Sequence, residues 1–205
     1  MKTLVISPHV DDELLGCFSF LNGDCHVLEL SADEFHIVSR KERIEELDKL
    51  SKLCGFNYTL DPELNTVNNF VLQDLIEQIT SEINQIKPEC VLLPYPSYNQ
   101  DHIKVYEAGL IATRQHDINY FVKKVLVYEE IHSFMWDSTH SINGSFKPNY
   151  FKEVDIDLKL KGYSLLASQV RDHRSPESLE YLAKIRGIQS HLNYAEAFQI
   201  IRWVD

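Results

Sequence analysis

Near the start of the chain, Ser7-Pro8-His9-Val10-Asp11-Asp12-Glu13 packs one imidazole and three carboxylates into five successive positions. An apolar run, Thr3 to Ile6, leads into them, and Leu14 and Leu15 follow. The cluster therefore falls on a turn from a strand into a helix. Packing does not call for four such groups, whereas a metal site with a base beside it does. In a helix that begins near Val10, His9 and Asp12 lie three positions apart and face one way. One imidazole nitrogen and one carboxylate oxygen suit zinc, which at catalytic sites usually takes three protein ligands. Asp11 falls between them and points elsewhere, where it can take a proton from bound water. A helix N-cap is the other role for an acid here. It accounts for one carboxylate and leaves His9 and the second acid without a purpose.

The third ligand has to come from another element. His102 opens a helix just after the short apolar strand Cys90 to Leu93. A lone histidine at a helix start is more often ordinary surface. Its place beyond a second parallel strand brings it to the same edge of the sheet as His9. Asp101 beside it fits either an acceptor that fixes the His102 tautomer or a simple cap.

The elements that position these groups follow from apolar periodicity. Strands are expected at Thr3 to Ser7, Cys25 to Leu30, Tyr58 to Leu60, Cys90 to Leu93 and Val125 to Ile131. Helices are expected at Glu13 to Leu21, Ile37 to Leu53, Phe70 to Ile86, His102 to Gln115, Leu158 to Val170 and Pro176 to Gly187. The stretch His132 to Asn149 has no clear period and reads as a loop, either beside a site or merely connecting. The alternation predicts one α/β domain over residues 1–205, Rossmann-like, with a mostly parallel sheet and helices on both faces. Ligands of such sheets bind beyond the carboxyl ends of the strands. Both the His9–Glu13 cluster and the Asn99–His102 loop fall there.

Composition excludes several classes. With 20 Lys and Arg against 31 Asp and Glu, the net charge is -11. Nucleic-acid binding by counterion release needs a basic face, so no nucleic-acid partner is expected. No run reaches the roughly eighteen apolar residues of a membrane span, so no transmembrane segment is expected. Only Lys2 precedes the first strand, which is unlike a signal peptide. The four cysteines, Cys17, Cys25, Cys54 and Cys90, form no Cys-x-x-Cys pair. They read as reduced thiols in a cytoplasmic protein. No Gly-x-Gly-x-x-Gly follows the first strand, which argues against a dinucleotide-dependent oxidoreductase. Oligomeric state stays open, a homo-oligomer included.

Pro8-His9-Val10-Asp11-Asp12-Glu13 closely resembles the His-Pro-Asp-Asp-Glu signature of the zinc-dependent PIG-L/LmbE-like N-deacetylases. Asn99-Gln100-Asp101-His102 is similar to their second motif, His-x-x-His or a variant ending in Asp-His. The likeness continues in Arg43 to Leu47 with Leu53-Cys54-Gly55, in Lys161 through Ser168-Gln169, and in Gly187 through Phe198, and so spans nearly the whole chain. The resemblance implies a Rossmann-like hydrolase that removes the N-acetyl group from an N-acetylglucosamine-type sugar or glycoconjugate. It implies Zn2+ on His9, Asp12 and His102, with Asp11 as general base. Fe2+ or another divalent ion suits the same ligand set. Arg43 matches a substrate-contacting arginine of the family, and its other reading is a solvated helix charge near Glu46. Glu13 is expected to be structural or to lie behind the ligands.

Two departures stand out. Val10 replaces the usual proline and carries no chemistry. Asn99 replaces a histidine that in the family is charged and assists the oxyanion or the leaving amine. Asparagine donates a hydrogen bond but cannot carry that proton. The acid then falls to Asp11 or to another group, with His132, His140 and His173 as candidates. The alternative is a catalytically weak or inactive sugar- or nucleotide-binding module on the same fold.

Overall fold

The structure, a computed structural model, describes residues 1–32, 38–60, 71–115, 120–129, 131 and 145–205. Five strands run parallel: β1 (Thr3–Ser7), β2 (Cys25–Glu29), β3 (Asn57–Leu60), β4 (Cys90–Pro94) and β5 (Lys124–Tyr128). Two more, β6 (Tyr150–Glu153) and β7 (Ala195–Trp203), add an antiparallel edge. The seven-stranded sheet has the order β3-β2-β1-β4-β5-β7-β6. The helices are α1 (Asp12–Cys17), α2 (Arg40–Cys54), α3 (Leu72–Ile86), α4 (Gln100–Ala112), α5 (Ile156–Leu165) and α6 (Pro176–Ser190). The expected α/β architecture, mostly parallel and covered on both faces, is the one observed.

Strand alternation sorts the core into two layers. Leu4 and Ile6 of β1 and Val91 and Leu93 of β4 join Leu75, Ile79 and Ile83 of α3 and Val105 and Ala108 of α4. Val5, Cys90 and Leu92 point the other way, into Leu14 of α1, Leu47 and Leu50 of α2, Tyr163 of α5 and Leu179 of α6. From β1 the chain proceeds outward to β2 and β3, then crosses back to β4 on the other side of β1. The order thus reverses between β1 and β4, which opens a crevice at their carboxyl ends.

Among the boundaries that differ from the sequence reading are the ends of α1, α5 and β5. The first helix stops at Cys17, short of Leu21, and a 3₁₀ turn, Phe18–Phe20, follows. Glu196 of β7 takes the Phe18 and Ser19 N–H groups at 3.0 and 2.8 Å, and Lys159 of α5 donates to the Leu15 carbonyl at 2.8 Å. These partners replace the bonds a longer helix would have made. The helix expected to reach Val170 ends at Leu165, with a second 3₁₀ turn at Ala167–Gln169. The strand expected to reach Ile131 ends at Tyr128. Gly16 lets α1 lie directly on β5, since a Cβ there would stand 2.3 Å from Cδ2 of Tyr128 and 2.8 Å from the Glu129 carbonyl.

Candidate metal centre

The β1–α1 turn is built by its own backbone and carboxylates. Helix α1 starts at Asp12, and the Asp11 carbonyl accepts from Leu14 and Leu15 N–H at 3.1 and 2.8 Å. Asp11 thus holds the N-cap position but makes no side-chain cap bond. The capping role weighed for this acid is absent, and its carboxylate is committed elsewhere. Its φ of 146° is one that residues other than glycine seldom adopt. Glu13 supports the turn from behind: its Oε2 accepts from Asp11 N–H at 2.9 Å and lies 3.5 Å from the Ser7 hydroxyl.

His9, Asp12 and His102 converge in the crevice. One ligand atom from each lies within 4.8 Å of the others. Asp12 Oδ2 is 3.2 Å from His9 Nδ1 and 3.2 Å from His102 Nε2, and the two rings are 5.4 Å apart between centroids. Ligands at zinc–nitrogen and zinc–oxygen distances on a tetrahedron are separated by about 3.3 Å. The donor set and its spacing therefore fit a divalent ion. The β1–α1 turn supplies His9, the start of α1 supplies Asp12, and the first turn of α4 supplies His102, which is 1% exposed.

The buried acids and imidazoles of this group perturb one another strongly. Burial disfavours a charged His9, but hydrogen bonds to Asp101 and Asp12 outweigh it and push the imidazole up to about 10. Burial likewise opposes the Asp12 charge, yet His102 and His9 hold its carboxyl far below the usual range. Burial, reinforced by the Asp11 charge, pushes Glu13 up to about 8. Glu29 sits opposite Ser7 in the β1–β2 register, and burial raises it well above the usual carboxylate range.

Two expectations need correction. Asp101 pairs with His9, not with its neighbour His102: its Oδ2 is 2.9 Å from His9 Nε2. From the start of α4 its side chain reaches across the crevice and orients the ring so that Nδ1 faces Asp12. Arg43 is fully buried, so it is not a solvated helix charge. Its guanidinium donates to the Val10 carbonyl and to Ser168 Oγ (3.2 Å) and lies 3.7 Å from Glu46. It braces the turn.

Asn99 is the N-cap of α4, its Oδ1 accepting from Asp101 N–H at 2.9 Å. Its Nδ2 is the atom that can donate toward a ligand. His173 is exposed on the turn after the second 3₁₀ segment, while His132 and His140 lie outside the described residues. Sequence reasoning did not find Arg174, whose Nη1 stands 3.0 Å from Asp11 Oδ2 with both groups buried. Nothing in Arg171-Asp172-His173-Arg174 separates that arginine from an ordinary charged loop.

No family model and no curated relative matches the chain. Solved structures do. A conserved protein from Thermus thermophilus is 18% identical, with a TM-score of 0.77 over 100% of this chain and 96% of its own. The 4-carboxy-2-hydroxymuconate hydratase GalB from Pseudomonas putida is 18% identical, with a TM-score of 0.76 over 100% and 99%. The N,N'-diacetylchitobiose deacetylase from Pyrococcus horikoshii is 19% identical, with a TM-score of 0.62 over 98% and 83%. The chain has their fold, as the resemblance of its motifs to the deacetylases implied. That fold hosts a hydratase as well as a deacetylase, so the reaction has to be argued from the site.

Proposed function

We propose that this protein is a metal-dependent N-deacetylase of the PIG-L/LmbE type, acting on an N-acetylglucosamine-type sugar or glycoconjugate. The observation that carries this reading is the convergence of His9, Asp12 and His102 at the β1/β4 reversal, with the Asp11 carboxylate beside them and not capping the helix. Zn2+ suits the donor set, and Fe2+ is the other ion to test. The chemistry such an ion supplies when bound is Lewis acidity, which lowers the pKa of bound water towards about 7 and polarises a carbonyl. The residues of the chain do the rest. His9, Asp12 and His102 hold the ion, and Asp101 fixes the His9 ring. Asp11 takes the proton of the attacking water and, with no family histidine at position 99, returns it to the departing amine. Asn99 Nδ2 donates to the carbonyl oxygen as negative charge develops there. The products are acetate and a free amino sugar. The four free thiols suit a cytoplasmic setting.

The test is acetate and amine release from a panel of N-acetyl amino sugars by zinc-loaded protein. Asp11→Asn is expected to keep its metal and lose roughly 10²–10⁴-fold in kcat. Full activity of that variant, or equal activity after chelation, would overturn the assignment. Asn99, with its carbonyl spent on the α4 cap, favours the second reading, a sugar-binding module without turnover. Sugar binding by metal-loaded protein that never releases acetate would establish it.

A further inference from the structure

The Asp11 carboxylate is part of a closed circuit of side chains. Arg174 Nη1 meets Asp11 Oδ2 at 3.0 Å, and its Nη2 donates to Gln169 Oε1 at 2.5 Å. Gln169 Nε2 donates to Ser168 Oγ at 3.0 Å, and Arg43 Nη1 donates to the same oxygen at 3.2 Å. Arg43 then closes the ring on the Val10 carbonyl, one peptide bond before Asp11. Ser168 is pinned in turn by Glu46, which accepts from its N–H and hydroxyl at 2.9 and 2.5 Å. The buried Tyr163 hydroxyl reaches both the Gln169 and the Arg174 carbonyls, at 2.9 and 2.7 Å, and so ties down the backbone on either side of the loop.

Two arginines therefore grip the Val10–Asp11 unit, one by its carbonyl and one by its carboxylate. The circuit has a reason to exist. Asp11 adjoins a ligand, and a carboxylate beside a divalent ion is drawn onto it. A base that becomes a ligand can no longer accept a proton. A guanidinium 3.0 Å away competes for that carboxylate, and its own hydrogen bonds fix where it stands.

We propose that Arg174 is the positioning residue of this site: it holds the Asp11 carboxylate beside the metal group and out of the coordination shell. The inference deepens the deacetylase reading and rests on it. It also gives the Ser168-Gln169 pair a task, since these residues carry the two arginines to one turn.

The test uses the full chain loaded with cobalt(II) or zinc. Arg174→Met is expected to bind one equivalent of cobalt as the wild type does, but with weaker visible absorption as an added carboxylate raises the coordination number. Arg174→Met combined with Asp11→Asn restores the wild-type spectrum, because the intruding group is gone. With zinc, Arg174→Met loses about 10²-fold in kcat with KM changed by less than about twofold, and added guanidinium ion recovers part of the loss. Gln169→Leu, which frees the Arg174 head without removing it, shifts spectrum and kcat the same way to a smaller extent and serves if Arg174→Met does not fold. A wild-type spectrum and kcat in Arg174→Met, or a spectral change that persists without the Asp11 carboxylate, overturns the positioning role alone. A wild-type protein that binds no cobalt overturns the metal reading and the positioning role with it. Cobalt binding without acetate release removes the deacetylase reading and leaves the spectra to decide where Asp11 sits.

Discussion

Glu13 ties the site to pH. Its carboxyl rises on folding from the ordinary range near 4.5 to about 8, through burial and the neighbouring Asp11 charge. A group raised in this way contributes its full stability below its unfolded value and loses it as pH climbs through the folded one. His9, raised to about 10, works in the same direction. Chelated protein is therefore expected to lose melting temperature steadily from pH 5 to pH 9, and Glu13→Gln, which keeps an acceptor for Asp11 N–H, to lose distinctly less. Melting curves across that range decide it, and an unchanged slope in the variant counts against the assignment. At this scale the convergence of His9, Asp12 and His102 is legible because they sit beyond strand ends, where few other tasks use an imidazole next to paired acids. The partner of each imidazole was not legible. Spacing puts Asp101 beside His102, whereas the α4 start aims its carboxylate across the crevice at His9.

Among the elements, α2 acts on the site from a distance. Its capping box, Ser39 with Glu42, and its left-handed Gly55 end give it a defined start and stop. Between them Arg43 is carried to the Val10 carbonyl. Arg43→Met strands that carbonyl in the interior, at a cost of about 1–3 kcal/mol. The expected outcome is a lower melting temperature and a lower kcat as the β1–α1 turn loosens, with KM unchanged. A raised KM at unchanged melting temperature would return Arg43 to a substrate-contacting role. Elements with one apolar stripe, such as α3, or a wholly apolar run, such as β4, were readable from the chain. β6 and β7 were not. β6 is a four-residue edge strand, and β7 carries the buried Glu196 among its apolar residues, so neither shows the usual pattern.

For the whole molecule the His9–Asp12–His102 group is a bridge between elements. It joins the end of β1 to the start of α4 across the point where the strand order reverses. An ion that binds only the folded chain stabilises it by about 2.7 kcal/mol at a hundred times its Kd. In a chain of this size that corresponds to roughly 5–10 °C in melting temperature. Zinc is expected to produce such a shift in the wild type and none in His102→Ala. Equal shifts in both proteins would place the zinc elsewhere.

Glu196, which ends the first helix, stands 178 residues downstream of the Phe18 N–H it receives. During synthesis the stop of α1 must wait for a strand made long after it. A ribosome that has delivered His9, Asp12 and His102 has not yet made the Glu196 carboxylate that stops α1. Contacts of such long sequence separation are the slow ones to form. An emerging chain can thus hold His9, Asp12 and His102 before it holds either Arg174 or the strand that stops α1.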